Sequence, residues 1–211
     1  MAGIIHFETF LIAGILLNLT PGNDTIFILT KSIAQGKKAG IMSVLGIATG
    51  SLIHTTLAAL GLSIIIAKSV LVFTIVKYAG AAYLLYLGYK MITDRSRFDT
   101  NISASPAKTN LLKIYRDAVL TNVLNPKVAM FFIAFLPQFI DPGYQNSIIP
   151  FMLLGITFTI TGTIWCLVLA SFSSFLFAKL RGNQRFSFYL NKICGTVLIG
   201  LGIKIALTSR K

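Results

Sequence analysis

Asp24, His54 and Lys127 are ionisable side chains set well inside otherwise apolar runs. A charge at membrane depth is costly and usually marks function. Asp24 could cap a restarting helix, pair with Lys127, or accept the ammonium of a zwitterion. Lys127 could fix packing through a salt bridge or receive a carboxylate. Histidine is the residue type that titrates near neutrality, so His54 could relay protons or sit neutral and hydrogen-bonded between helices. Asp24 and His54 are therefore the proton-relay candidates.

Two of these residues close short polar interruptions. One runs Asn18-Leu19-Thr20-Pro21-Gly22-Asn23-Asp24 and the other Asn122-Val123-Leu124-Asn125-Pro126-Lys127. Proline removes a helix donor and clashes with the preceding turn. Pro21 thus orphans the carbonyl of Leu17, and Pro126 that of Asn122. Gly22 loosens the first break further. Within hydrocarbon an unsatisfied backbone group costs several kcal/mol, so broken backbone belongs against protein or a wet cavity. Asn18, Thr20, Asn122 and Asn125 can supply partners. Each restarting helix turns a positive dipole end toward the break, which favours an anion such as a carboxylate. The alternative is a pair of packing kinks. Two breaks at corresponding positions favour a substrate site, formed by Asn18, Thr20, Pro21, Gly22, Asn23, Asp24, Asn122, Asn125, Pro126 and Lys127.

The elements that must carry these residues follow from hydropathy. The chain has 211 residues, 55% of them hydrophobic and 12% charged. Mean hydropathy is +0.79. A soluble domain would carry about twice that charge. Six spans of about 20 residues are expected, near 5–29, 41–66, 70–92, 118–140, 148–177 and 189–208. Lys31 to Lys38 reads as a basic turn between the first two. Residues 93–117, with Pro106, read as a central cytoplasmic loop ending in an interfacial helical turn. Asp141-Pro142-Gly143 closes the fourth span. The N-terminus lacks the basic start and small-residue cleavage site of a signal peptide.

The net charge of +13 raises nucleic acid as a partner. A nucleic-acid reader gathers its basic residues on one face, whereas these lie between apolar runs. There they specify orientation. Lys31, Lys37 and Lys38, then Arg95, Arg97, Lys108, Lys113 and Arg116, then Lys179, Arg181 and Arg185 fall in odd connections. Even connections hold Lys68. Odd connections are thus expected in the cytoplasm and both termini outside, with Arg210 and Lys211 the dissenting charges.

The halves correspond. At an offset of 105 residues Pro21 matches Pro126 and Gly50 matches Gly155. At 114, Gly88 and Lys90 match Gly202 and Lys204. Three spans repeated once reverse direction between copies, the plan of many secondary transporters. The expected fold is an all-α integral membrane protein, six helices in a 3+3 inverted repeat with helices one and four broken. It forms one transport domain over 1–211: repeat one about 1–92, the linker about 93–117 and repeat two about 118–211.

Other features are read as structural. Gly46-Ile47-Ala48-Thr49-Gly50 is a close-packing motif, within the chain or across a homodimer. Cys166 and Cys194 pack in apolar segments and match no metal-ligand spacing. Lys77 and Lys204 snorkel to the interface. Tyr89 fits an interfacial belt, and Tyr78, Tyr83 and Tyr86 pack. No Walker A, HExxH or GxSxG motif occurs, so neither an enzyme nor a bound cofactor is expected.

Taken together, several motifs resemble the lysine-exporter and homoserine/threonine-efflux (LysE/RhtB-type) family of bacterial amino-acid exporters. They are Thr20-Pro21-Gly22-Asn23-Asp24, Lys31-Ser32-Ile33-Ala34-Gln35-Gly36, Gly46 to Gly50 with His54, and Gly80-Ala81-Ala82-Tyr83-Leu84-Leu85-Tyr86-Leu87-Gly88. The second half adds Asn122, Asn125-Pro126-Lys127 and Phe135-Leu136-Pro137-Gln138-Phe139. The resemblance implies six-span proteins of the inner membrane that export amino acids or related metabolites against protons. Asn23 departs from the family's Pro-Gly-Pro, which restores a backbone N–H at the break. Two other functions compete: export of a metal cation, and a non-transporting scaffold.

Overall fold

The computed structural model describes residues 3–62, 70–93, 110–144, 147–173 and 184–207. It is all-helical. Among the described residues β pairing amounts to one isolated antiparallel bridge, Ile4 with Ile140. Eight α-helices occur among the described residues, in order: α1 Phe7–Leu19, α2 Asn23–Gln35, α3 Lys37–Leu57, α4 Val70–Thr93, α5 Leu111–Val123, α6 Pro126–Met130, α7 Ile148–Ser171 and α8 Gln184–Leu207. A π-turn, Ala58–Leu62, extends α3; a π-turn and a 3-10 turn, Phe131–Phe135 and Leu136–Phe139, extend α6.

Both interruptions fall at the prolines. Helix α1 ends as Thr20 donates its N–H and its hydroxyl to Leu16 O. Gly22 is extended, and α2 leaves at a bend of 48°. In the second break Asn125 caps α6 through its side chain, which accepts from Lys127 N at 3.0 Å. Pro126 then occupies the first helical position, where its missing donor is harmless. The bend there is 47°. Helices Lys37–Gly61 and Ile148–Ser171 are long and apolar enough to cross a membrane, and each bent pair is so too if counted as one span.

Several boundaries differ from the expectation. Lys31 to Lys38 is not a turn. Helix α2 runs to Gln35 and α3 starts at Lys37, because Gly36 alone makes the corner with φ 84°. That conformation is open to glycine and strained for other residues. Helix α5 starts at Leu111, so the expected interfacial turn is continuous with the helix that carries Asn122. Its cap is Asn110, whose side chain accepts from Lys113 N. The rest of the central linker lies outside the described residues, as do Lys68 and the side chains of Lys77, Cys194 and Lys204. Tyr78 and Tyr86 were expected to pack but are more than half exposed, like Tyr89. Tyr83 is partly buried.

Two hydrophobic clusters flank the breaks. The first is aromatic: Phe10, Phe131, Phe132, Phe135, Phe139 and Phe158 anchor it, with Phe131 stacked on Phe158 at 4.2 Å between ring centroids. The second joins Ile28 and Leu29 of α2, Val44 and Ile47 of α3, and Cys166, Leu169 and Ala170 of α7. On the outside, α7 exposes Leu153, Ile156, Ile160, Ile164 and Leu167. Residues three and four apart share a helix side, so this is a continuous apolar stripe, as lipid requires. Helices α4 and α8 pack along each other, with Gly88 against the carbonyl of Gly195.

Candidate functional site

The two breaks meet and satisfy each other. Lys127 Nζ donates to Leu17 O at 3.1 Å and to Thr20 O at 3.0 Å. The carbonyl that Pro21 orphans therefore finds its donor on the opposite break. Gly22 leaves room for this lysine, since a Cβ there would lie 3.3 Å from Nζ. At the second break Asn122 O accepts from Asn125 N at 3.0 Å. His54 Nε2 stands 3.3 Å from the same oxygen. A carbonyl only accepts, so the hydrogen in this contact sits on Nε2. The ring is buried and stacked on Phe132.

The side chain of Asn122 completes the link. It is 2% exposed, and its Nδ2 donates to Asp24 Oδ2 at 2.8 Å. Asp24 stands in the first turn of α2, as the sequence places it. Two acceptor oxygens at this junction, Asp24 Oδ1 and Asn122 Oδ1, are buried without a hydrogen-bond partner. Such groups are rare and call for an explanation. Asn122 reaches this depth because α5 lies close against α3. A Cβ on Gly50 would stand 2.7 Å from Asn122 Cβ, and one on Gly46 would meet Tyr115 O at 2.5 Å. The glycine pair of α3 thus packs within the chain.

A cavity of about 40 Å³ opens beside these atoms. Asn18 of α1, Asp24 and Thr25 of α2, Asn122 of α5 and Lys127 of α6 line it from the breaks. Helix α3 adds Val44, Ile47, Ala48 and Ser51. Helix α7 adds Phe158, Thr159, Gly162, Thr163 and Cys166. Ser51 and Thr159 hydroxyls bond across it at 2.7 Å, and Asn18 Nδ2 donates to Thr161 Oγ1 at 3.3 Å.

Of the residues expected from the sequence, Asn18, Asp24, Asn122 and Lys127 thus come together on the cavity wall. Thr20 and Asn125 are buried behind it as backbone acceptor and helix cap. Pro21, Gly22 and Pro126 shape the breaks without lining the cavity. Asn23 and Pro126 are exposed. His54 stands behind Asn122. The hydroxyls of Thr25, Ser51, Thr159 and Thr163 escaped the sequence reading. Threonines and serines in apolar helices usually bond the carbonyl four residues back, as Thr159 does to Gly155 O at 2.9 Å, so their presence alone signals nothing. Among the described residues no three His, Cys, Asp or Glu side chains gather to hold a metal ion.

A family model described as LysE type translocator matches residues 15–209. The chain belongs to the LysE family. This LysE-family chain is 36% identical over 198 residues to the uncharacterized membrane protein YrhP of Bacillus subtilis (strain 168), covering 90% of this chain and 93% of the relative. It is 30% identical over 207 residues to the uncharacterized membrane protein PA4757 of Pseudomonas aeruginosa, covering 97% and 96%. It is 28% identical over 208 residues to the leucine efflux protein of Klebsiella pneumoniae, again covering 97% and 96%. No solved structure matches it. As a member of a translocator family, the chain is a membrane transporter.

Proposed function

We propose that this LysE-type protein is a secondary exporter of a small zwitterion, an amino acid, across the bacterial inner membrane in exchange for protons. The observation that carries the proposal is the pair of buried, unpartnered oxygens, Asp24 Oδ1 and Asn122 Oδ1, beside the Lys127 ammonium. An ammonium donates three hydrogen bonds and suits those oxygens. The substrate carboxylate would take Lys127 in exchange for its contacts to Leu17 O and Thr20 O. The start of α2, whose cap Gly22 offers no side chain, adds a favourable dipole. A relative named for leucine efflux agrees with an amino-acid cargo.

Coupling follows from exclusion at one atom. Asp24 Oδ1 accepts the substrate ammonium or binds a proton, never both. Loading substrate on one side and proton on the other then exchanges them. Lys127 from α6 and Asn122 from α5 are the charged and polar groups that share this junction. His54 holds the Asn122 backbone, and its contact to a carbonyl favours a positioning role over relay.

Alternating access would use the breaks as hinges. A water needs about 10–15 Å³ of such volume, so the cavity of about 40 Å³ takes a few waters and must widen for an amino acid. Helices α4 and α8, with 24 residues each, rise about 36 Å, enough to span the hydrocarbon core. With α3, α7 and the two bent pairs they make six spans. The inverted repeat is supported by contacts that exchange under it. Gly88 approaches Gly195 O, and at the offset of 114 the equivalent pair is Gly202 with Ala81, where a Cβ on Gly202 would meet Ala81 O at 3.0 Å. The loop charges support an orientation with both termini outside.

Proteoliposomes test the proposal. With an inward proton gradient, amino acid should leave the lumen against its own gradient. Efflux that ignores the gradient would refute antiport.

A further inference from the structure

We infer that the exported substrate is a neutral amino acid with an aliphatic side chain, and that Val44, Ile47 and Cys166 form the wall that receives it. The inference rests on the transport proposal above and names its substrate class. It starts from how charge is arranged in the cavity. Among the described residues its lining holds one acid, Asp24, and one base, Lys127. A zwitterion's ammonium and carboxylate engage both. A third charge on the substrate side chain would have no opposite partner there. Burying an unpaired charge is heavily penalised.

The cavity also has a polar end and an apolar end. Helix α3 contributes Ser51, Ile47 and Val44, spaced four and three residues apart and so on one side of the helix. Ser51 bonds Thr159 at 2.7 Å, and Gly50 next to it approaches Asn122. The amino-acid headgroup is therefore held at the Ser51 level, where Asn122 meets Asp24. Val44 lies seven residues back along α3, about 10 Å at 1.5 Å per residue. There Val44, Ile47 and Cys166 belong to the second hydrophobic cluster, backed by Ile28, Leu29 and Leu169. A side chain directed away from the headgroup site thus meets hydrocarbon, a thiol and the single hydroxyl of Thr163. Aliphatic surface gains from burial against such a wall, while a charged end would lose its water without an opposite charge to meet it.

The test is counterflow in proteoliposomes, each batch preloaded with the unlabelled form of the amino acid offered outside. Radiolabelled leucine, valine, phenylalanine, lysine and glutamate are offered outside. Leucine and valine should enter at least about tenfold faster than lysine or glutamate, since a site that leaves a polar group unpaired discriminates strongly. Lysine or glutamate entering as fast as leucine overturns the inference while leaving amino-acid transport standing. If no amino acid exchanges, the transport proposal itself falls and this inference with it. The Val44→Ala protein locates the wall. Its ratio of phenylalanine to valine entry should rise about tenfold. An unchanged ratio in a protein that still exchanges leucine overturns the assignment of Val44. Ile47→Ala is the second variant, read by the same ratio if Val44→Ala does not assemble.

Discussion

One carboxylate oxygen of Asp24 is held by Asn122 and the other is buried without a hydrogen bond. That asymmetry predicts a large effect from a small change. Asp24→Asn keeps the shape and removes the charge. Truncating one side of a buried charged contact costs about 2–5 kcal/mol, so exchange in proteoliposomes should fall at least about thirtyfold. Retained exchange would refute the ammonium contact. Lys127 has a second duty that Asp24 lacks, because it donates to Leu17 O and Thr20 O. Lys127→Met should therefore lower thermal stability in detergent as well as transport, whereas Asp24→Asn should leave stability nearly unchanged. Equal stability of the two variants would contradict the role of Lys127 at the first break. His54 separates positioning from relay. Glutamine keeps a nitrogen donor near the place of Nε2 but does not titrate. His54→Gln should preserve the pH profile of exchange, and loss of proton coupling would restore the relay.

At the scale of elements, the breaks were legible because proline chemistry is local. Pro21 and Pro126 remove specific hydrogen bonds, and the helices end where they must. The partners of the freed carbonyls were legible only in part: Asn125 was read as one and its N–H does meet Asn122 O, but the donor to Leu17 O is Lys127 and not a neighbouring Asn or Thr. Nothing local joins Lys127 to Leu17, or His54 to Asn122. Those contacts exist because α3, α5 and the two breaks converge, and convergence is tertiary. The glycines of α3 were visible as a close-packing pair, but their partner was not. The partner is α5, pressed so near that a Cβ on Gly50 would stand 2.7 Å from Asn122 Oδ1. Overpacking of this kind costs about 1–3 kcal/mol. Gly50→Ala should lower the melting temperature and slow exchange together, because it displaces Asn122. A variant as stable and as active as the wild type would show that α3 and α5 are farther apart. The wall opposite, on α7, escaped the sequence because its threonines bond their own helix.

At the scale of the molecule, the family assignment and the all-helical membrane fold rest on signals spread along the whole chain, which is why they were readable early. Orientation rests on loop charge, and half of the charged loop residues lie outside the described residues. Cysteine labelling settles it in a background lacking Cys166 and Cys194. Lys37→Cys, at the exposed first residue of α3, should react with an impermeant maleimide only from the cytoplasmic side. Pro142→Cys, exposed beyond α6, should react only from outside. Labelling of both from one side would break the proposed topology.

The proposed mechanism makes substrate and proton compete for Asp24 where the two breaks meet. Its most direct measurement is leucine efflux from proteoliposomes under an imposed pH gradient, with wild type and Asp24→Asn compared side by side. The wild type should drive leucine outward against its concentration gradient as protons enter, and Asp24→Asn should show no gradient-driven movement. Gradient-driven efflux by Asp24→Asn at the wild-type rate would contradict it.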